Sequence, residues 1–170
     1  MGATDHIVLV GAMGAGKTTI GRGIAERLRL RYVDSDDQIQ SLTGRSGAQI
    51  AEDEGVETLH ELELSVFWDA MSSEEPSVIA AAASVIDNQE AREAIRESDC
   101  VWVDAPDDVL HLRRATSTHR REVSDEEVHR LIARAPLFAG CATVKIDTDT
   151  FNEHDAVSIA IEAITGGEEG

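Results

Sequence analysis

One stretch of the chain combines glycines, a lysine and a threonine at the spacing of a phosphate-binding loop. Gly11-Ala12-Met13-Gly14-Ala15-Gly16-Lys17-Thr18 fits G-x-x-x-x-G-K-[ST] at every required position. Glycines let the backbone curl until several N–H groups face one point, and a following helix adds its positive N-terminus. Lys17 would then meet the β- and γ-phosphates of ATP, and the hydroxyl of Thr18 would bind Mg²⁺. The competing explanation is a glycine-rich turn without a ligand.

Carboxylates and arginines elsewhere in the chain suit the transfer of a phosphoryl group. Asp34 and Asp36 follow a short strand, and such a transfer needs a carboxylate near the attacking hydroxyl. The alternative role for either residue is N-capping of the next helix. Residues 111–134 hold six arginines and four acids, although the net charge of the chain is −18. This basic island indicates an anion site, with ion pairs on a solvated helix as the alternative.

Apolar runs that alternate with helical patterns must position these residues. Strands are predicted at 7–10, 31–33, 78–81, 101–103 and 143–146. Helices are predicted at 18–28, 36–42, 48–51, 57–70, 90–96, 109–114, 128–133 and 156–164, the last but one stopping near Pro136. This alternation predicts an α/β fold, a five-stranded parallel sheet of the P-loop NTPase type flanked by helices, with ligands beyond the carboxyl ends of the strands.

Length, charge and cysteines set further expectations. We expect residues 1–170 to form a single domain and a monomer, with a polar lid at about 115–124 and a disordered tail at about 166–170. The charge of −18 repels nucleic acid and anionic membrane, so neither is an expected partner. No apolar run approaches the roughly 20 residues of a membrane helix, so the expected location is cytoplasmic. Cys100 and Cys141 lack ligand spacing and are expected to be reduced thiols.

Missing motifs narrow the class of nucleotide-binding protein. The chain contains neither the Asn-Lys-x-Asp nor the Asp-x-x-Gly that a Ras-type GTPase needs. Asp104 follows an apolar strand as in a motor or transporter ATPase, but an acidic residue in a strand-to-helix loop is the simpler explanation. A small phosphotransferase or an isolated binding module remains.

The order of the motifs resembles that of the shikimate kinase family. Residues 7–22 look like the start of these kinases, and further motifs continue the likeness in the same order. They are Asp34-Ser35-Asp36, Thr43-Gly44-Arg45-Ser46, Ala48-Gln49-Ile50, Glu54-Gly55-Val56-Glu57 and, resembling the family's Arg-x-Pro-Leu-Tyr, Arg134-Ala135-Pro136-Leu137-Phe138. The resemblance spans about residues 6–165 and implies an ATP-dependent kinase of a small molecule.

The resemblance also implies roles for individual residues. Thr18 and Asp34 would hold Mg²⁺, Asp34 through water. Asp36 would bind the acceptor hydroxyl as base or orienting group, and Arg134 would bind the acceptor, a carboxylate in shikimate kinases. Arg121 would be the arginine of the lid, closing over the transferred phosphoryl group. The nucleotide would contact Gly14, Ala15, Gly16, Lys17, Thr18 and Thr19, with Arg114 on the adenine side.

Two positions depart from the family at the acceptor end. Where the family has an arginine after an aromatic residue, this chain has Leu59 and His60. A neutral histidine cannot make the bidentate contact of an arginine with a carboxylate, so His60 is either a different ligand contact or a surface residue. Where the family has Gly-Gly-Gly beside the acceptor, this chain has Ala82-Ala83-Ser84. Because their Cβ atoms make a positive φ costly, either the turn is reshaped or the acceptor differs.

Three functions therefore compete. The first is an ATP-dependent kinase of a small cyclic hydroxy acid or polyol, with shikimate as the family default. The second is a kinase of the same fold that acts on a sugar, a sugar acid or another cyclitol. The third is a nucleotide-binding protein without catalytic activity.

Overall fold

The strands form one parallel sheet, as predicted. The computed structural model describes residues 5–106 and 125–166. Its strands are Ile7–Val10 (β1), Arg31–Asp34 (β2), Ser77–Ala80 (β3), Asp99–Asp104 (β4) and Val144–Asp147 (β5). They lie in the order β2-β3-β1-β4-β5, and each pair of neighbours is parallel. The central strand β1 is buried along its whole length, which suits its continuous apolar sequence.

Helices cover both faces of the sheet. Seven α-helices occur in the described residues, together with a 3₁₀ helix at Ala83–Asp87. They are Lys17–Leu28 (α1), Ser35–Thr43 (α2), Gly47–Glu54 (α3), Val56–Met71 (α4), Gln89–Arg96 (α5), Asp125–Cys141 (α6) and Glu153–Thr165 (α7). Residues of β1 alternate between the two faces: Leu9 packs in a core with α1 and α7, whereas Val10 packs in a core with α4, α5 and α6.

The register of the sheet gathers the ends of the strands at one edge. Val10 at the end of β1 is paired with Trp102 near the end of β4, and Asp34 at the end of β2 is paired with Ala80 at the end of β3. Because all strands run in the same direction, the segments that follow them lie side by side. The phosphate loop and the residues after β2 and β3 therefore share this edge.

The predicted end of a helix near Pro136 is wrong. Helix α6 continues through Pro136 to Cys141. A proline inside a helix costs about 3 kcal/mol, because it removes one hydrogen bond and crowds the preceding turn. Beyond the proline, however, α6 buries Phe138 and Cys141 in the core beneath the sheet. This tertiary packing outweighs the local cost.

Several expectations fall on residues 107–124 and 167–170, outside the described residues. They are the helix at 109–114, the whole lid at about 115–124 with Arg121, the nucleotide contact Arg114, and nearly all of the tail. In the described ranges, no helix is long and apolar enough to cross a membrane.

Candidate active site

A cavity of about 880 Å³ opens at the carboxyl edge of the sheet. This volume is typical of sites for small ligands and cofactors. Its walls bring together most of the candidate residues, namely Gly14, Gly16, Lys17, Thr18, Thr19, Asp34, Asp36, His60, Ala82, Ala83 and Arg134. Of the other candidates, Ala15 is fully buried, while Arg114 and Arg121 lie outside the described residues.

The phosphate loop has a backbone that glycine adopts easily and other residues do not. Gly11, Gly14 and Gly16 have φ values of 144°, 87° and 112°. At Gly11 a Cβ atom would lie 2.1 Å from the carbonyl oxygen of Val103, so no side chain fits there. Helix α1 begins directly after Gly16 with no side-chain cap and no acid in its first turn. Its N-terminus therefore presents partial positive charge that suits a phosphate.

Lys17 and Thr148 fix the loop from two sides. The ammonium of Lys17 donates to the carbonyl oxygens of Gly11 at 2.6 Å and Ala12 at 3.1 Å. The hydroxyl of Thr148, which follows β5, hydrogen-bonds the carbonyl oxygen of Ala15 at 2.7 Å. The lysine charge thus lies over the loop, and Ala15 contributes through its backbone while its side chain is buried.

Thr18 and Asp34 form a pair that fits Mg²⁺. The hydroxyl of Thr18 donates to Oδ2 of Asp34 at 3.2 Å, and the phenol of Tyr32 donates to the same oxygen at 2.6 Å. Burial raises the pKa of Tyr32, so the phenol stays a donor at neutral pH. Hydroxyl and carboxylate oxygens are hard ligands, and Mg²⁺ takes few of them from the protein when phosphates and water supply the rest. Accordingly, nowhere in the described residues do three or more His, Cys, Asp or Glu side chains form a metal cluster.

Asp34 also caps helix α2, so the capping hypothesis is confirmed for this residue. Its Oδ1 accepts the backbone N–H of Asp36 at 2.9 Å, while Oδ2 remains directed at Thr18. Capping fixes the orientation of the carboxylate, and the two roles therefore support each other. Asp36 lies in the first turn of α2 and lines the cavity.

The Ala82-Ala83-Ser84 turn adopts a backbone that side chains tolerate. Ala82 has φ −62° and ψ 147°, and a 3₁₀ helix begins at Ala83. These side chains are thus accommodated at negative φ, and within the described chain Arg29 alone among residues other than glycine has a positive φ. The turn supplies a hydroxyl, that of Ser84, to the acceptor end of the cavity.

Ser84 donates to Glu63, a residue that the sequence analysis missed. The hydroxyl lies 2.8 Å from Oε2 of Glu63, which lines the cavity from α4. Burial raises the pKa of Glu63 to about 7, the charge of Asp36 acts in the same direction, and the Ser84 hydrogen bond opposes both. Glu63 follows His60 by three residues on one helix, so helical spacing from a cavity-facing His60 was the available signal.

His60 and Arg134 form the wall beside Glu63. Arg134 is 7% exposed and makes a bidentate ion pair with Asp87, with Nη2 to Oδ2 at 2.8 Å. His60 is half-buried rather than a surface residue, and burial followed by the charges of Arg134 and Arg130 lowers its pKa. The imidazole is therefore neutral at neutral pH, and the positive charge of this wall comes from Arg134 and Arg130.

The opposite end of the cavity is apolar. Phe151 and Met13, which are 38% and 55% exposed, line it beside the phosphate loop. Exposed apolar side chains in a cavity wall suit the flat surface of a base. The cavity thus has an anion-binding centre between an apolar end and an end rich in hydrogen-bonding groups.

Comparison with known proteins decides the family. The family model described as Shikimate kinase matches residues 13–165. The chain belongs to the shikimate kinase family. It is 37% identical to the shikimate kinase of Symbiobacterium thermophilum, over 94% of this chain and 95% of that protein. It is 31% identical to the enzyme of Corynebacterium efficiens, over 92% and 94% of the two chains. The shikimate kinase of Acinetobacter baumannii, solved in complex with shikimate, superposes with a TM-score of 0.87 at 27% identity and covers 99% of this kinase and 97% of its own chain.

Membership of the family establishes the reaction class. This kinase is an ATP-dependent phosphotransferase that uses Mg²⁺ and acts on a hydroxyl of a small molecule. The phosphate loop and the Thr18–Asp34 pair fit these two cofactors. Of the functions that the sequence left open, catalytic transfer is favoured over nucleotide binding alone.

Proposed function

We propose that this kinase transfers the γ-phosphoryl group of ATP to a hydroxyl of shikimate. One observation carries the choice of acceptor: a buried arginine, Arg134, lines the same cavity as Lys17 and Asp36. An arginine can bind a carboxylate in a fixed orientation, and the cyclic acid bound to it would present its hydroxyls to Asp36. The likeness to a relative that was solved with shikimate supports the same acceptor.

In the proposed mechanism each end of the cavity positions one reactant. Mg²⁺, held beside Thr18 and Asp34, would screen the phosphate charges. Lys17 and the N-terminus of α1 stabilise the negative charge that develops during in-line transfer. Asp36 orients the attacking hydroxyl and accepts its proton, so that the new O–P bond forms as the bond to ADP breaks.

The remaining site assignments are part of the proposal. Gly14, Gly16 and Thr19 bind the phosphates, and Phe151 stacks against the base. Arg114 beside the adenine and Arg121 over the transferred group follow from the family resemblance. His60, Ala82 and Ala83 contact the acceptor from the cavity wall. Ala15 contributes its backbone.

We also propose that the kinase is a monomeric single domain that works in the cytoplasm. One sheet with a core on each face supports a single domain. The net charge of −18 opposes binding to nucleic acid and to anionic membranes, neither of which we expect as a partner. Both cysteines are free and buried, as suits a reducing compartment.

Steady-state kinetics test the acceptor. ATP consumption is measured with shikimate, quinate, gluconate and an uncharged cyclitol, and Lys17→Ala serves as the inactive control. We expect the highest kcat/KM with shikimate. A preference for the uncharged cyclitol would show that Arg134 does not select acceptors by their carboxylate. If no acceptor gives more ATP turnover than the control shows, the protein is not a kinase of these compounds.

A further inference from the structure

One carboxyl group pairs with the guanidinium of Arg134 from outside the cavity, and a second carboxyl group lines the cavity together with Arg134. The outer one is Asp87: Nε donates to its two oxygens at 3.1 and 3.2 Å, and Nη2 donates at 2.8 Å. Asp87 ends the 3₁₀ helix, is half exposed and is not among the described residues that line the cavity. The inner one is Glu63, which lines the same cavity as Arg134.

The inner carboxyl has a different hydrogen-bond partner. Oε2 of Glu63 accepts from the hydroxyl of Ser84 at 2.8 Å, and Glu63 is largely buried. Above its pKa of about 7 Glu63 is ionised, and a partly buried carboxylate attracts a guanidinium more strongly than a fully solvated one, because the interior screens charge less than water does. An arginine released by Asp87 would therefore turn toward Glu63. The charge of Arg134 would then be neutralised by Glu63 inside the cavity. It would no longer be available to bind an acceptor.

The observed pair leaves an edge of the guanidinium for another ligand. Asp87 takes the Nε–H and one hydrogen of Nη2, whereas a guanidinium carries five N–H donors. The edge formed by Nη1 and Nη2 can still make a bidentate contact with a carboxylate. The ion pair with Asp87, which lies outside the cavity, thus orients Arg134 without occupying the cavity.

We infer that Asp87 is a positioning residue for the acceptor: it holds Arg134 by its Nε edge and keeps it from pairing with Glu63. This inference rests on the proposed function, because it takes Arg134 as a contact of the acceptor. Ser84 assists by engaging the oxygen of Glu63 that the arginine would otherwise approach.

The first test removes the charge of Asp87 and keeps its shape. Asp87→Asn should raise the KM for shikimate about tenfold, the worth of one charged hydrogen bond, while kcat and the KM for ATP change less than about twofold. Asp87→Glu should recover most of the loss, since it restores the carboxylate at a half-exposed position. The matched control is Asp53→Asn, which removes a carboxylate 3.3 Å from Arg45 on the surface and should leave the KM unchanged.

The second test removes the competing carboxylate. In a Glu63→Gln background, Asp87→Asn should raise the KM by less than about threefold, because the carboxylate beside Ser84 then no longer attracts Arg134. An unchanged KM in Asp87→Asn, or an equal rise in both backgrounds, would overturn the inference. A wild type inactive on shikimate would instead refute the proposed acceptor. The same comparison on the acceptor that it does phosphorylate would then test Asp87 separately.

Discussion

Substituting His60 by arginine tests how this site binds an acceptor carboxylate. His60 is half-buried in the cavity wall, and burial together with Arg134 and Arg130 keeps its pKa low, so it contributes no positive charge at neutral pH. Under the proposed function, Arg134 would meet the acceptor carboxylate without a second arginine at position 60. His60→Arg adds that arginine to the same wall.

The size of the effect follows from the contact that is added. A hydrogen bond to a charged group is worth about 1.5–3 kcal/mol, which corresponds to a change in KM of about ten- to a hundredfold. We expect the lower end of this range, because Glu63 lies three residues further along α4 and would attract part of the new charge. The KM for shikimate should thus fall about tenfold in His60→Arg, with the KM for ATP unchanged.

The assay compares wild type, His60→Arg and Ser65→Arg by initial rates at saturating ATP. Ser65 is exposed on the same helix and is not among the described residues of the cavity wall, so its substitution controls for added charge alone. Shikimate and an uncharged cyclitol are the two acceptors. The reasoning is refuted if His60→Arg improves both acceptors equally, or if the wild type already turns over shikimate with a low KM that the substitution worsens.

Three further predictions concern the loop and the buried carboxyl. Lys17→Ala should lower ATP turnover by several orders of magnitude and leave the circular dichroism spectrum unchanged, since the residue is the first of α1 and its side chain lines the cavity. Gly11→Ala should reduce the yield of folded protein, or lower the thermal midpoint more than Gly44→Ala does, because its Cβ would meet a carbonyl oxygen at 2.1 Å whereas Gly44 has open space. Glu63 has its pKa raised from 4.5 to about 7, so the folded state binds more protons than the unfolded state between these values, and the free energy of unfolding falls as pH rises through this window. Denaturant titrations should show Glu63→Gln gaining stability relative to wild type from pH 5 to pH 8, by up to about 3 kcal/mol; a constant difference would contradict the assignment.

The sequence predicted those parts of the site that depend on local pattern. The loop from Gly11 to Thr18 carries its own backbone preferences, and the short apolar runs identified all five strands. Glu63 and Asp87 were missed because their surroundings are set by partners far along the chain. Ser84 lies 21 residues from Glu63, and Arg134 lies 47 residues from Asp87. Helical spacing from His60 could place Glu63 at the cavity, but no periodicity in the sequence indicates either of these two pairings.

Pro136 was misread for a related physical reason. Its effect on a helix is local and unfavourable, whereas the burial of Phe138 and Cys141 is a property of the finished core. A prediction from neighbouring residues in the sequence includes the local cost of the proline. It does not include the stabilisation that comes from tertiary packing. The packing of α6 also explains why Arg134 is held in a continuous helix rather than at its end.

The strand order gives this enzyme two halves that evolution can change separately. Asp34 and Ala82 line the cavity after β2 and β3 on one side of the central strand, and Thr148 and Phe151 follow β5 on the other. The phosphate loop after β1 stands between them and contacts both. Substitutions at Ala82, Ala83 and Ser84 therefore alter the cavity wall after β3 and leave the residues of the phosphate loop unchanged. Acceptor specificity can in this way change while the ability to bind ATP is kept.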